Sequence, residues 1–344
     1  MVVRIGSFNC ENFFSRASLL NSDNPKNGPL LDTYAQLCQE LDRPAYDPSR
    51  IVQLYVPLIP YVDVLENRGQ LFNGTGSKVK VAAKGRAGWD GCIELKRSRI
   101  PDKAQENTVR VIKAINADVL CTVEMEDRRT LKTLGHHELL KKGVYAYNML
   151  IDGNDPRGIN LGLLSRYPIT DLRSHTDDMI GKSRVFSRDC PEYKVELPSG
   201  QPLFMVLNHL KSQGYGAPAA NDVHRLRQSQ QVANLLAARG YDLANQFVVV
   251  AGDFNATPGS PSLEPLLSVN GLNDLLGQLP AGQDWTYAYK GKKSRIDYLL
   301  VSDALLAKLV QGSVMIERSL MPGPTIPAAQ AASDHAAICA AFDI

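Results

Sequence analysis

The residues best suited to chemistry stand at the ends of apolar runs. Asn9 follows the run 2–8, Glu124 ends 118–124, and Asn208-His209-Leu210-Lys211-Ser212 closes a third run. Gly252-Asp253-Phe254-Asn255 follows the fully apolar stretch 247–251, Asp297 lies inside 296–301, and Ser333-Asp334-His335 precedes the last run. Side chains alternate across a strand, so Glu124 shares a face with Thr122 and Leu120, and Asp253 shares one with Asn255 while Phe254 turns into packing. A carboxylate inside an apolar strand is costly unless paired, which requires a partner for Asp297. His335 is the natural one, because a carboxylate that orients an imidazole is a standard acid–base device. Singly, each residue also has a bland use. Asn9 could cap a turn and a lone histidine such as His209 could be structural.

The elements that must position these groups are short strands bounded by Gly, Pro, Asn or Asp. They are expected at 2–9, 118–124, 146–151, 160–164, 193–197, 203–208, 247–251, 286–289, 296–301, 313–316 and 336–342. Helical spacing appears between them. Val109, Ile112 and Ile115 precede the second strand, and Val223, Leu226, Val232, Leu235 and Leu236 predict a long helix, with Asn221 as N-cap and Gly240 as stop. Two mixed sheets with helices packed outside account for this order, which is an α/β sandwich. The stretch at about 15–104 is loop-rich and separates the first strand from the next, so it is expected to be an insertion. Within it, residues 78–103 carry eight Lys or Arg against three acids, with Trp89 among them. Such a run is either a solvated face or an arm that contacts polyphosphate and stacks through its aromatic.

Bulk properties restrict the remaining possibilities. The chain has 344 residues, 44% hydrophobic and 22% charged, and 38 Lys+Arg against 36 Asp+Glu, a soluble globular profile with no whole-chain attraction to polyanions. No stretch reaches the roughly 18 apolar residues that a membrane helix needs. Six cysteines show neither CxxC pairs nor zinc spacing, and Cys10, Cys121 and Cys339 lie in apolar runs, which predicts free thiols in a reducing compartment. No charged and apolar leader opens the chain, which predicts a cytoplasmic location. A secreted chain trimmed of its leader and restarted at Met would read the same.

Taken in order, Phe8-Asn9, Asp118 to Glu124, Asn208-His209-Leu210-Lys211-Ser212, Gly252-Asp253-Phe254-Asn255, Arg295-Ile296-Asp297-Tyr298 and Ser333-Asp334-His335 closely resemble the endonuclease/exonuclease/phosphatase (DNase I-like) superfamily. The strand-and-turn stretch 162–169 is also similar, and the resemblance covers 1–14 and about 105–344. It implies a four-layer α/β sandwich, two packed mixed sheets flanked by helices, as one domain over 1–344 with an insertion at about 15–104. It also implies that Glu124 is the principal Mg²⁺ ligand with Asn9 and Asp334 close to the metal, Mn²⁺ being a possible substitute. Asp253 and Asn255 would then position the attacking water and the phosphate, and His209 and His335 would contact phosphoryl oxygens or move protons, with Asp297 orienting His335. The chemistry asks for the same set, because phosphodiester cleavage concentrates negative charge that hard oxygen-bound cations and imidazole donors stabilise.

The match has departures. Val123 stands where relatives commonly carry Gln, and His209 matches the DNase I and sphingomyelinase type rather than the Tyr of AP endonucleases. Candidate substrate contacts are Arg157 or Asn160 in the polar stretch 152–160, Lys211 beside His209, and Arg97 and Arg99 in the basic stretch. The expectation is therefore a metal-dependent phosphodiesterase acting on nucleic acid by in-line attack of water, foremost a DNA endonuclease or exonuclease. A phospholipid or inositol-phosphate hydrolase of the same superfamily is the alternative, with the apolar stretch 51–62 as its candidate membrane-facing hairpin. A catalytically inactive binding module ranks last, since Glu124, Asp253, Asn255 and His335 are all present.

Overall fold

Apolar runs that are buried on both faces become the inner strands of two sheets. Phe247–Asp253 is buried at every position, as a central strand covered on both sides must be. The computed structural model describes residues 1–13, 19, 27–96, 102–141, 143–155, 157–214 and 216–344. They fall into two compact units, Met1–Phe14 with Ile100–Ile344, and Ser15–Arg99.

In the larger unit, the first sheet runs in the order Met315–Glu317, Ala337–Asp343, Val2–Phe13, Val119–Met125, Asn160–Ser165, Tyr147–Leu150. The second runs Leu272–Asp274, Asp297–Ser302, Phe247–Asp253, Pro202–His209, Glu192–Glu196, Ile169–Arg173. Each sheet holds one parallel pair at its centre, Val2–Phe13 with Val119–Met125 and Pro202–His209 with Phe247–Asp253, while its other pairs are antiparallel. Strands of a parallel pair finish on the same side, and ligands of α/β sheets bind at such carboxyl ends. Asn9, Glu124, His209 and Asp253 are delivered there.

Three cores make four layers. Val3, Ile5, Val119, Cys121 and Leu163 meet Val195, Met205, Leu207, Val249 and Leu299 between the sheets. Val109, Ile112 and Ile115 of helix Asp102–Ile115, with Leu131 and Leu134 of helix Arg128–Gly135, cover the outer face of the first sheet. Val232 and Leu236 of helix Pro218–Ala238 cover the second against Val206, Val248 and Leu300. The chain therefore has the four-layer sandwich expected from its sequence.

Several elements differ from expectation. The long helix starts at Pro218 with Ala217 as its N-cap, so Asn221 lies inside it. Val223 and Leu226 are exposed, and the helix buries Asn221, Arg225, Gln228 and Ser229 beside Val232 and Leu236. The polar face is needed because the loop after His209 must be hydrogen-bonded. Gln228 Oε1 accepts from Lys211 N at 2.8 Å, and Arg225 Nη1 donates to Lys211 O at 2.8 Å. Strands Ile169–Arg173 and Leu272–Asp274 are additional to the expected set, because edge strands carry no long apolar run. Tyr287–Tyr289 pairs with Lys292–Ser294 as a hairpin outside the two large sheets, with a single bridge from Tyr287 to His335.

The smaller unit is not the loop-rich stretch that its turn residues suggested. It contains helices Asn27–Leu41 and Pro48–Tyr55, a hairpin of Val62–Arg68 with Asp90–Leu95, and a second of Phe72–Asn73 with Lys80–Val81. The second helix had a readable start, because the Asp47 carboxylate accepts Ser49 N and Arg50 N at 3.0 Å and Pro48 occupies the first turn. Leu37, Leu41, Ile51, Leu54, Leu58, Val62, Leu71, Trp89 and Ile93 form the unit's own core. The stretch 51–62 thus spends Ile51, Leu54, Leu58 and Val62 on internal packing and is not a membrane-facing hairpin. Trp89 is 1% exposed and donates Nε1 to Glu66 Oε1 at 3.1 Å, so it is not a surface stacking platform. Lys78, Lys80, Lys84 and Arg86 do face solvent. Arg97 and Arg99 lie outside the described residues.

Among the described residues, no helix is long and apolar enough to cross a membrane. All six cysteines are unpaired. Burial pushes the Cys121 and Cys339 thiols up to about 12, which leaves them inert core residues.

Candidate active site

Two backbone irregularities face each other where the first parallel pair ends. The first strand breaks register between Asn9 and Phe13, with Glu11 and Asn12 at φ 49° and 52°, and Val119–Met125 breaks register at Glu124, which takes φ 65°. Bulges of this kind re-aim side chains at the rims of sheets, and left-handed non-glycine residues carry strain of about 1–3 kcal/mol. Here they allow Asn12 N to donate to Glu124 Oε2 at 2.7 Å, and they turn Glu11 so that its Oε2 accepts Asp334 N at 2.9 Å.

The second parallel pair approaches from the other sheet. Asn9 Nδ2 donates to Asp253 Oδ2 at 3.1 Å, and His209 Nε2 stands 3.8 Å from Glu124 Oε1 and 3.6 Å from Asp253 Oδ2. Asn255, at φ 53°, folds back so that its N–H reaches Asp253 Oδ1 at 2.8 Å and its Nδ2 reaches Asp253 Oδ2 at 3.1 Å. Between Asn208 and Gly252 the backbones press together. A Cβ on Gly252, which has φ 135°, would sit 1.9 Å from Asn208 O, so only glycine fits. Phe254 faces away and stacks on Tyr298 with ring centroids 4.6 Å apart.

Asp297 lies directly opposite Asp253 across the antiparallel pair. Like charges in that position repel, and the structure answers with a histidine. His335 Nδ1 is 2.9 Å from Asp297 Oδ2, and its Nε2 is 3.9 Å from both Asp253 Oδ2 and Asp334 Oδ1. Burial alone would depress the imidazole, but the Asp297 carboxylate, with Asp253 and Asp334 beyond it, holds His335 well above its ordinary value. The pair is locked from both sides. Thr286 Oγ1 accepts from Ile296 N and Asp297 N, and Ser333 Oγ accepts from His335 N while donating to Asn9 O at 2.7 Å.

His209 has the opposite character. It is 3% exposed, its Nδ1 has no hydrogen-bond partner among the described residues, and burial together with the charges of Arg188, His335 and Arg157 depresses it well below the usual range. Arg188 is itself buried, with Nη1 donating to Leu210 O at 3.2 Å and Nε 3.2 Å from Asp155 Oδ2. Asp155 also receives Arg157 through Nε at 3.0 Å and Nη2 at 2.8 Å, so one carboxylate holds two guanidiniums. Asn160 is committed to the backbone, accepting Gly153 N at 2.8 Å and donating to Glu126 O at 2.7 Å, and it ties the polar loop to the end of the Glu124 strand. Lys211 is bound to helix Pro218–Ala238 through its backbone, and its Nζ lies 3.5 Å from Gly214 O.

The acids fit a divalent cation. Burial, with the negative charges of Asp334 and Glu124 adding to it, pushes Glu11 up to about 7, and burial with the Asp297 and Glu124 charges raises Asp253 against the pull of His335. Carboxylates that raise one another in this way are short of positive charge, and hard oxygen donors of this type suit Mg²⁺ or Mn²⁺. Atoms of Asp253, Asp297 and His335 come within 4.8 Å of one another. In that trio His335 Nδ1 is already hydrogen-bonded to Asp297, and Glu124, Asn9, Asp334 and Glu11 add further oxygens, although Glu124 Oε2, Asn9 Oδ1 and Glu11 Oε2 each already accept one backbone N–H.

Sequence reasoning missed Glu11, Asp155, Arg188 and Thr286, and it named Ser333 only as part of its motif. Asp155 lies in the polar stretch 152–160, but Arg188 stands far from it in sequence on a loop with no distinguishing pattern, and only the fold joins them.

The family model described as Endonuclease/Exonuclease/phosphatase family matches residues 97–335. Among solved structures the chain is similar to an endonuclease/exonuclease/phosphatase family protein from Bacteroides thetaiotaomicron, at 13% identity and a TM-score of 0.53, covering 100% of this chain and 96% of that one. It is also similar to D. rerio TDP2 complexed with single strand DNA product, at 16% identity and a TM-score of 0.52, over 70% of this chain and 92% of that one. Truncated Caenorhabditis elegans TDP2 is similar at 17% identity and a TM-score of 0.50, over 71% of this chain and 91% of that one. At these identities the likeness is one of fold. No curated protein matches the chain.

Proposed function

This chain belongs to the endonuclease/exonuclease/phosphatase family, and from that footing we propose that it is a metal-dependent phosphodiesterase cleaving nucleic acid, DNA foremost, by in-line attack of water. The observation that carries this reading is the division of charge around His209. Glu124 and Asp253 stand 3.8 and 3.6 Å from its Nε2, while burial and the positive charges of Arg188, His335 and Arg157 depress its imidazole. A phosphodiester presents non-bridging oxygens that need donors and cations, and a nucleophile that needs a base.

In this reading Glu124, with Asn9, Asp334 and Glu11, holds Mg²⁺ or Mn²⁺. The bound ion would supply charge stabilisation to the phosphoryl and leaving oxygens. Asp253, fixed by Asn9 and Asn255, takes the proton of the attacking water. His335, raised by the Asp297 carboxylate that holds its Nδ1 at 2.9 Å, is assigned as a proton donor rather than as the base. His209, held neutral, offers a second N–H to the phosphoryl group. Arg157, backed by Asp155, and Lys211 receive the neighbouring phosphates, with buried Arg188 adding its charge from behind. The D. rerio TDP2 structure with its single strand DNA product supports a nucleic-acid substrate by analogy of fold. Ser15–Arg99 is read as an insertion in the family domain that supplies further backbone contacts through Lys78, Lys80 and Lys84.

The test is cleavage of supercoiled plasmid, linear duplex and single-stranded DNA by wild type and Glu124→Ala, with Mg²⁺ and with EDTA, beside sphingomyelin and inositol-polyphosphate assays. Metal-dependent cleavage of DNA that is lost in the variant is the expected result. Turnover of lipid or inositol phosphate with no cleavage of any nucleic acid would overturn the substrate class and leave the phosphodiesterase.

A further inference from the structure

The hairpin just before the Asp297 strand gives the site above only Thr286, yet it is built into that site. Tyr287 bridges antiparallel to His335, its ring centroid lies 4.8 Å from the imidazole, and Ala336 N donates to Thr286 O at 2.7 Å. From there a row of rings leads outward. Tyr289 lies 6.4 Å beyond Tyr287 with its plane turned by only 13°, and it is 57% exposed. Lys290 Nζ stands 5.2 Å from the Tyr289 centroid, and Lys293 Nζ stands 4.5 Å from that of Trp285. Lys290, Lys292 and Lys293 all face solvent.

The turn that carries them is unusual in its first residue. Lys290 at φ 47° and Gly291 at φ 76° form a two-residue turn of type I′, where Asn or Asp would take the first position at lower cost. The tip therefore holds a cation over an exposed ring at some conformational expense.

We infer that this hairpin is a substrate subsite for an unpaired nucleobase beside the scissile phosphate, with Tyr289 as the stacking face and Lys290, Lys292 and Lys293 holding the flanking phosphates. The inference rests on the nucleic-acid reading of the site and narrows it to a single strand, or a duplex frayed at the point of cleavage. Inside a duplex the base faces are covered by their neighbours, and sequence is read from base edges by forked or bidentate side chains. This hairpin offers ring faces and point charges instead, which is how single strands are held.

The test is fluorescence anisotropy with phosphorothioate-linked oligonucleotides of about 15 nucleotides, single-stranded and duplex, in Mg²⁺, so that binding is read without turnover. Wild type is expected to hold the single strand more tightly than the duplex. Tyr289→Ala should weaken the single strand by between about 5-fold and about 100-fold while Tyr289→Trp retains it. Replacing Lys290, Lys292 and Lys293 together by Ala should flatten the slope of log affinity against log salt by about 2, for three contacts at about 0.7 each. Unchanged single-strand affinity in Tyr289→Ala, with DNA still bound and cleaved by wild type, overturns the subsite alone. An equal loss on single strand and duplex overturns the single-strand assignment. Wild type that binds and cleaves no nucleic acid, but binds anionic phospholipid vesicles through Tyr289, overturns the underlying reading as well. Because Tyr289 is exposed, an unshifted melting curve of Tyr289→Ala separates lost binding from lost folding.

Discussion

Asn9 and Asp253 are joined by a 3.1 Å hydrogen bond that crosses from one central parallel pair to the other. Asn9 ends its run in the first sheet, Asp253 ends a strand of the second, and both are almost wholly buried. The bond fixes the distance between the two halves of the site at the point where a water would lose its proton. Asn9→Leu, which keeps the bulk and removes the donor, should lower kcat by about 10²-fold with the fold retained. Steady-state kinetics with a short oligonucleotide, checked by circular dichroism, decides it. A change of KM alone would contradict the role.

The Asp297–His335 pair makes a prediction about pH. Asp297 raises His335, so the protonated donor persists to higher pH than a free imidazole would. Asp297→Asn removes that support, and the alkaline limb of kcat/KM should move to lower pH while the maximal rate falls by about 10²–10⁴-fold. An alkaline limb that stays in place would mean that another group sets it.

A second pH effect lies outside the site and acts on stability. His175 is buried, with Nε2 2.8 Å from Glu192 Oε1 and Nδ1 3.2 Å from Asp178 Oδ2, and Glu192 also receives Tyr241 and Arg239. Burial would lower this imidazole, but the two carboxylates win and raise it. A histidine raised on folding stabilises the fold fully below its unfolded value of about 6.5, and the contribution fades as pH rises through the higher folded value. Glu192 is lowered by the same contacts against the effect of burial, so its share fades as pH falls below its unfolded value of about 4.3. Between those limits His175→Gln should cost about 1.5–3 kcal/mol, and at alkaline pH less. Urea denaturation across the range reads the difference, and a pH-independent loss would contradict it.

Much of this was legible in the sequence, and the reasons for the remainder are physical. Asn9, Glu124, His209, Asp253, Asn255, Asp297 and His335 stood out because each ends or interrupts an apolar run, and the structure brings them together. Arg188 did not, because a buried guanidinium on a loop leaves no periodic trace, and its partner Asp155 lies in a different loop. Helix Pro218–Ala238 misled for a related reason. Its buried face is polar in order to support the loop after His209, so its exposed Val223 and Leu226 counterfeited the inner stripe. The turn residues of the smaller unit suggest loop, whereas the Asp47 cap and Pro48 mark a helix start.

Gly252 offers a test of close packing beside the reactive groups. Its added Cβ would meet Asn208 O at 1.9 Å in a conformation that only glycine tolerates. Gly252→Ala should lose about 2–5 kcal/mol, from backbone strain and overpacking together. Thermal and urea unfolding measure it. A loss below about 1 kcal/mol would show that the two strands can part without cost.

The first strand has consequences for timing. It lies between Val119–Met125 and Ala337–Asp343, with Val2 opposite Asp343. Strands Pro202–His209, Phe247–Asp253 and Asp297–Ser302 can pair among themselves before the chain reaches residue 337, but the sheet that carries Asn9 cannot close until then. Long-range pairing of this kind is also the slow part of folding. On the ribosome, a growing chain would display Asp253 and His209 well before it could set His335 against Asp297. A chain interrupted before Ser333 would thus lack both the strand that pairs with Val2–Ser7 and the imidazole that partners Asp297.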